Sequence, residues 1–138
     1  MDVAWWKEYG DEVSRTFRGD KKLSYVPVKP DVIPTKGVLF PPGMGNSGSY
    51  AISLGVVAGA TRIILLGYDC KFDKTGKKHW HSDHPGKMGN ASSIARWPKQ
   101  FALVARYAKT HGAQVVNCSR DTALTCFERG ILEEELSK

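Results

Sequence analysis

The chain has 138 residues, of which 41% are hydrophobic and 25% charged, with a formal net charge of +6, a size and balance that suit one ordinary globular domain. No apolar run approaches the roughly 20 residues that a membrane-spanning helix needs, and the opening MDVAWWKEYGDE has neither the basic start nor the apolar core of a signal peptide, so the reading is cytoplasmic, without a membrane partner. Cys70, Cys118 and Cys126 form an odd set without paired-cysteine spacing, which in a cytosolic chain reads as reduced, mostly buried thiols.

In chain order, Asp2 can cap a helix over about residues 3–17, with Val3, Trp6, Val13 and Phe17 roughly on one face. Gly19-Asp20 ends it, and 23–28 alternates enough for a short strand. Residues 27–42 hold five of the seven prolines, so this stretch reads as extended connection with one edge strand near 38–40. PPGMGNSG then opens a helix over about 47–58, built from Ser, Gly, Ala, Ile, Leu and Val. Glycines weaken such a helix by about 1 kcal/mol each, which is tolerable where its backbone must lie close to a sheet or a ligand. Thr61–Leu66 is apolar and partly β-branched, as a strand buried on both faces should be.

Residues 70–91 read as one long loop, of a length that is usually functional or mobile. A helix over about 92–111 follows, with Ile94, Trp97, Phe101, Val104 and Ala108 at helical spacing; Pro98 either kinks it or marks its true first turn. Gln114–Asn117 is a second buried strand, 121–127 a loop with a turn of helix, and 131–137 a short acidic helix. The β–loop–α–β order implies a right-handed parallel crossover. The expected fold is therefore α/β: a single domain with a small three-layer parallel sheet, in which only about three or four strands are visible, so that either one edge is open and covered by a partner chain or an upstream half is missing.

Ligands of open parallel sheets sit at the carboxyl ends of the strands, which singles out four sets of residues. Gly45, Asn46, Ser47 and Gly48 precede a helix whose free N–H groups could approach a phosphate, although their spacing matches neither the dinucleotide fingerprint nor the Walker loop. Asp69 directly follows the first buried strand, where a carboxylate can hold a hydroxyl or a metal, act as a base, or simply cap a turn. His79, His81 and His84 surround Asp83 in KHWHSDHP. One of them can serve as a general acid or base near neutrality; on a strand, His79 and His81 would share a face as two zinc ligands, a weak metal signal without a fourth partner. Asn117, Ser119 and Arg120 lie at the end of the second strand; they either point toward the ligand end of the sheet, with Arg120 able to pair with phosphate, or belong to ordinary strand-end turn chemistry. Lys71, Lys74, Lys77, Lys78 and Lys87 crowd the long loop against only Asp73 and Asp83; this is either an anion site or a solvated surface. The absence of a basic helix argues against nucleic acid as partner.

The run SYAISLGVVAGATRIILLGYDCKF resembles the helix–strand unit of bacterial α-2,3-sialyltransferases and that of the archaeal 6-hydroxymethylpterin diphosphokinase family. It is most similar to uncharacterised phage and prophage proteins related to both, which carry the same Gly67-Tyr68-Asp69, a segment like Lys78 through Pro85, and an ending like Asn117 through Phe127. Members of this group begin with a strand and a Gly-Gly-Pro-Ser-Leu turn, whereas this chain begins at the later Asp-x-x-Trp-Trp helix, Asp2–Trp6. The resemblance implies a phage- or prophage-derived, nucleotide-binding transferase-like protein. The donor would be a nucleotide or nucleotide-sugar, and a divalent metal is a further cofactor to test. One of His79, His81 or His84 would be the base, Asp69 would contact a hydroxyl or metal, and Gly45–Gly48 with Asn117, Ser119 and Arg120 would meet phosphate. It also implies a small Rossmann-like domain that is incomplete and shortened at its N-terminal side; with the small sheet this gives a homo-oligomer or an upstream partner chain, and as the alternative an inert, truncated module acting through self-association or protein binding.

Overall fold

The computed structural model of the protein describes residues 3–18, 45–78, 81–84, 86, 88 and 90–138, so the strands expected at 23–28 and 38–40, together with His79, lie outside the described residues. Two compact units are present, one holding residues 3–18 with residues 84, 86 and 88, the other holding the remaining described residues.

In the first unit, helix α1 (Val3–Thr16) matches its expected span. Within it the rings of Trp5 and Tyr9, four residues apart, stack at 5.2 Å between centroids, the neighbour spacing of a helix. Phe17, expected on the apolar face, is 52% exposed.

The second unit is an α/β assembly: α2 (Ser47–Val57), β1 (Arg62–Leu65), a 3₁₀ turn (Ile94–Arg96), α3 (Trp97–Thr110), β2 (Gln114–Asn117), β3 (Glu128–Arg129) and α4 (Leu132–Leu136). The three strands form one sheet in the order β1-β2-β3, entirely parallel. β1 pairs with β2 from Arg62 opposite Gln114 to Leu65 opposite Asn117. β3 has only two residues and pairs Glu128 with Val116 and Arg129 with Asn117. Residues 66–93 contain no helix or strand among those described, as the long-loop reading expects, but 121–127 forms only bends where a turn of helix was anticipated. The Thr122 hydroxyl donates to the Tyr68 carbonyl and the Ala123 N–H to the Asp69 carbonyl, so this stretch is held by the loop after β1 instead of by a helical turn of its own.

Side-chain alternation sorts the strands into two faces. Ile63, Leu65 and Val115 join Ile52 and Val56 of α2, and Phe101, Val104 and Ala108 of α3, in the apolar core. α2 lies against α3 in that layer. Its serines are compatible with burial because their hydroxyls bond back to the helix: Ser49 Oγ to the Asn46 carbonyl at 2.8 Å and Ser53 Oγ to the Ser49 carbonyl at 3.1 Å. Pro98 sits in the first turn of α3, where its missing N–H has no intrahelical partner to lose, so it starts the helix instead of kinking it. Edge-to-face ring pairs run through the core from Tyr68 to Phe101 at 5.7 Å and on to Phe127 at 6.1 Å.

Val116 faces away from that core, toward α4. A side chain at Gly130 would bring its Cβ within 2.6 Å of Val116 and 2.9 Å of Glu135, so the glycine lets the chain turn from β3 directly into α4. Glu135 is only 6% exposed and is paired with Arg62 of β1 and, at 2.6 Å, with Lys138. The result is a small, incomplete Rossmann-like domain: a helix pair, a three-stranded parallel sheet and one short helix on the far side. No helix among the described residues is long and apolar enough to cross a membrane.

Two outcomes follow from this packing. Ile52→Ala, at a site 1% exposed, should lower the unfolding free energy by about 2–5 kcal/mol in urea titrations, while Val57→Ala, at a site 51% exposed, should change it by less than about 0.5 kcal/mol. Hydrogen bonds from Lys138 and then Arg62 hold the Glu135 carboxyl below its ordinary range. A depressed carboxylate stabilises the fold above its unfolded pKa and loses that contribution as pH falls through its folded value. The wild-type unfolding midpoint should therefore drop more steeply than that of Glu135→Gln as pH is lowered from neutrality through the carboxylate range. Parallel curves would remove Glu135 from the account.

Candidate functional site

Because all three strands run the same way, their carboxyl ends meet along one edge, and three segments leave there: the loops 66–73 after β1 and 118–121 after β2, and after β3 the turn at 130–131 that leads into the start of α4. A buried polar knot joins the first two. Asn117, fully buried, accepts the Ser119 N–H at 3.0 Å and donates to Thr122 Oγ1 at 3.3 Å. Thr122 Oγ1 in turn donates to the Tyr68 carbonyl at 2.6 Å and accepts the Leu124 N–H at 3.1 Å. Ser119 Oγ accepts the Tyr68 N–H at 2.7 Å, and the Ala123 N–H reaches the Asp69 carbonyl at 2.8 Å. Buried polar atoms that pair in this way cost little, whereas an unpaired one is expensive.

Above this knot lies an open cleft of about 850 Å³. Leu66, Phe72, Ile131 and Leu132 give it apolar surface, and charged groups come from all three strand ends: Asp69, Lys71, Asp73 and Lys74 after β1, Arg120 and Asp121 after β2, and Arg129 of β3 with Glu133 of α4. Leu66 and Ile131 are 55% and 57% exposed. Several of the charges are already engaged. Lys71 pairs with Asp121, and this hydrogen bond is the main reason that the Asp121 carboxyl is held below its ordinary range. Arg129 donates to the Ser119 carbonyl at 2.5 Å. Asp73 closes a local turn by accepting the Thr75 hydroxyl at 2.7 Å and the N–H groups of Thr75 and Lys77, each at 2.8 Å; the Thr75 hydroxyl contributes most to its lowered pKa. Lys74, Arg120, Asp69 and Glu133 make no side-chain hydrogen bond or ion pair with the described residues and face the cleft as open charges, two of each sign.

Of the residues singled out from sequence, the cleft brings together Asp69, Ser119 and Arg120 with Lys71 and Lys74 of the cationic loop. Asn117 is not in its lining; it lies beneath, within the knot. Gly45, Asn46, Ser47 and Gly48 stand at the start of α2, on the core side of the sheet. Asn46 is the N-cap, accepting the Ser49 N–H at 2.8 Å, and its amide donates to Gln100 of α3 at 2.8 Å, so both ends of its side chain are committed to the fold. Gly48 lies where a Cβ would come within 3.0 Å of the Tyr68 ring and 3.1 Å of Phe101, and its carbonyl accepts the Tyr68 hydroxyl at 3.2 Å. Tyr68, whose hydroxyl pKa is raised by burial, thus occupies the space in front of this turn. His81 sits in the long loop outside the cleft lining, with Nδ1 2.5 Å from the Ser82 carbonyl, and His84 belongs to the other unit. Among the described residues no three His, Cys, Asp or Glu side chains gather as a metal site.

Sequence reading did not single out Glu133, Leu132, Ile131 or Arg129. β3, with two residues, is too short for periodicity to mark it. The available signal was the Arg-Gly-Ile turn before the acidic helix, which a third parallel strand would have placed on the ligand edge. No protein-family model, curated protein or solved structure matches the chain.

The knot makes its own prediction. Asn117→Ala leaves the buried Ser119 N–H without its acceptor and should cost about 1–3 kcal/mol of stability, whereas Arg120→Ala at the exposed cleft wall should stay within about 0.5 kcal/mol. Chemical unfolding of both variants measures the contrast, and equal effects would contradict the assignment of one as structural and the other as free for a ligand.

Proposed function

We propose that the cleft binds a nucleotide-type, phosphate-bearing small molecule, and that the protein is a phage- or prophage-derived relative of nucleotide-using transferases. The observation that carries this reading is the juxtaposition, on the carboxyl edge of a parallel sheet, of the open cations Arg120 and Lys74 with the open carboxylates Asp69 and Glu133, around the apolar surface of Leu66, Phe72 and Ile131. Cations suit a phosphate, carboxylates suit sugar hydroxyls, and exposed apolar side chains suit the face of a base. The volume of about 850 Å³ lies within the ordinary range for small-ligand sites.

Asp69 would contact a hydroxyl of the ligand or act as a base. His81 does not line the cleft, and that specific feature favours a second reading, a binding module without turnover.

Thermal unfolding with CMP, CDP, AMP and ATP tests the proposal. A ligand at 100 times its dissociation constant should stabilise the protein by about 2.7 kcal/mol. Arg120→Ala should weaken the best nucleotide at least tenfold, in line with about 1.5–3 kcal/mol for a hydrogen bond to a charged group, and Asp69→Asn should weaken it less. Unchanged midpoints with every nucleotide at millimolar concentration would sink the reading. Binding with no transfer of the donor group would select the module over the enzyme.

A further inference from the structure

Helix α4 is held to the sheet by a charge and hardly by an apolar face. It has five residues, too few for a helix to persist in water on its own, so its place depends on what it docks against. Leu136 is 70% exposed and Leu132 only partly buried. The one buried side chain of the helix is Glu135. Its carboxylate pairs with Arg62 of β1, the one charged tie from α4 to the sheet among the described residues. Lys138, at 2.6 Å, braces the same carboxylate from within the C-terminal segment. At the near end of that segment, the Gly130 N–H bonds to the Asn117 carbonyl at 3.4 Å, and the absence of a side chain there lets the chain lie directly over Val116.

Neither Arg62 nor Glu135 lines the cleft, but the segment they anchor does, through Gly130, Ile131, Leu132 and Glu133. Cys118 lies beneath it: its sulfur is 3.3 Å from the position of a Cβ on Gly130, and it continues the strand alternation on the same face as Val116. Cys70 and Cys126 pack against the core on the opposite face.

We propose that Arg62 and Glu135 form a latch that holds α4 as a movable wall of the cleft, and that they are positioning residues for a ligand that touches Ile131 and Glu133. With the latch broken, the sheet and the α2–α3 core stay in place while the segment after Gly130 swings off the far face. Arg62 without Glu135 turns to solvent, and Glu135 without Arg62 is a buried charge short of its compensation, which draws the helix outward. Coupling between wall and ligand is reciprocal: a ligand that contacts Glu133 favours the docked helix, and the docked helix favours the ligand. This effect on affinity rests on the nucleotide reading of the cleft, whereas the latch itself does not.

The test follows alkylation of the native full chain by iodoacetamide, resolved at each cysteine by peptide mass mapping. Glu135→Gln and, separately, Arg62→Met, which keeps an unbranched aliphatic stem, should each raise the rate at Cys118 by at least about threefold while the rates at Cys70 and Cys126 hold, as a local opening requires. The double variant should react no faster than the faster single one, because the two side chains act as a unit. Arg62→Lys, which retains the charge, should stay near the wild-type rate. In parallel titrations with CMP, CDP, AMP and ATP, the nucleotide that binds the wild type most tightly should bind Glu135→Gln at least about threefold more weakly. A wild type that binds none of the four refutes the nucleotide reading, and alkylation alone then decides the latch. Unchanged reactivity of Cys118 in both single variants, or an equal rise at all three cysteines from general loosening of the fold, would overturn the latch. Faster alkylation of Cys118 with no loss of nucleotide affinity would overturn the positioning role.

Discussion

The carboxyl edge of the sheet depends on one buried amide. Asn117 ends β2 with its side chain sealed from water, and a buried amide is tolerable only when its donor and acceptor are both satisfied. Here Ser119 and Thr122 satisfy it, and the same two residues capture the backbone of Tyr68. The loops after β1 and β2 are thereby held to one another without any regular secondary structure between them. The turn after β3 is held by Arg129, which reaches the Ser119 carbonyl, and by the Gly130 N–H on the Asn117 carbonyl at 3.4 Å.

That knot has two consequences for chemistry. It withdraws Asn117, and largely Ser119, from any ligand, because their polar atoms already have partners. It also fixes the chain on either side of it, so that Asp69 and Arg120, each one residue beyond a captured position, stand at the cleft with no described partner of their own. Rigid support behind open charged groups is the condition for oriented ligand binding. Tyr68 divides the edge in a comparable way: its ring packs between the start of α2 and Phe101, leaving the glycine-rich turn on the core side and the cleft on the other.

Much of the fold was legible in the residues. Helical spacing in Phe101, Val104 and Ala108, β-branched runs at 62–65 and 114–117, and Pro98 as a first-turn residue all express local preferences that packing reinforces. β3 was not legible, since its two residues are a strand only because β2 supplies an edge for them to join. The functional reading divided on the same line. Asp69 and Arg120 could be located because strand ends in a parallel sheet share an edge. Asn117 could not be assigned to structure in advance, because a polar residue at a strand end looks the same whether it meets a ligand or another loop.

From its sequence alone this protein is set as an α/β chain with parallel strands, a polar carboxyl edge and a long cationic loop, because hydrophobic period and turn residues act over a few neighbours and leave a local record. Tertiary structure decided which polar groups would be consumed within the fold and which would remain open. It paired Lys71 with Asp121 across 50 positions and Arg62 with Glu135 across 73, and it brought Glu133 and Ile131 to the same cleft as Asp69. Contacts between residues so far apart depend on how whole elements stack, and no local pattern encodes them.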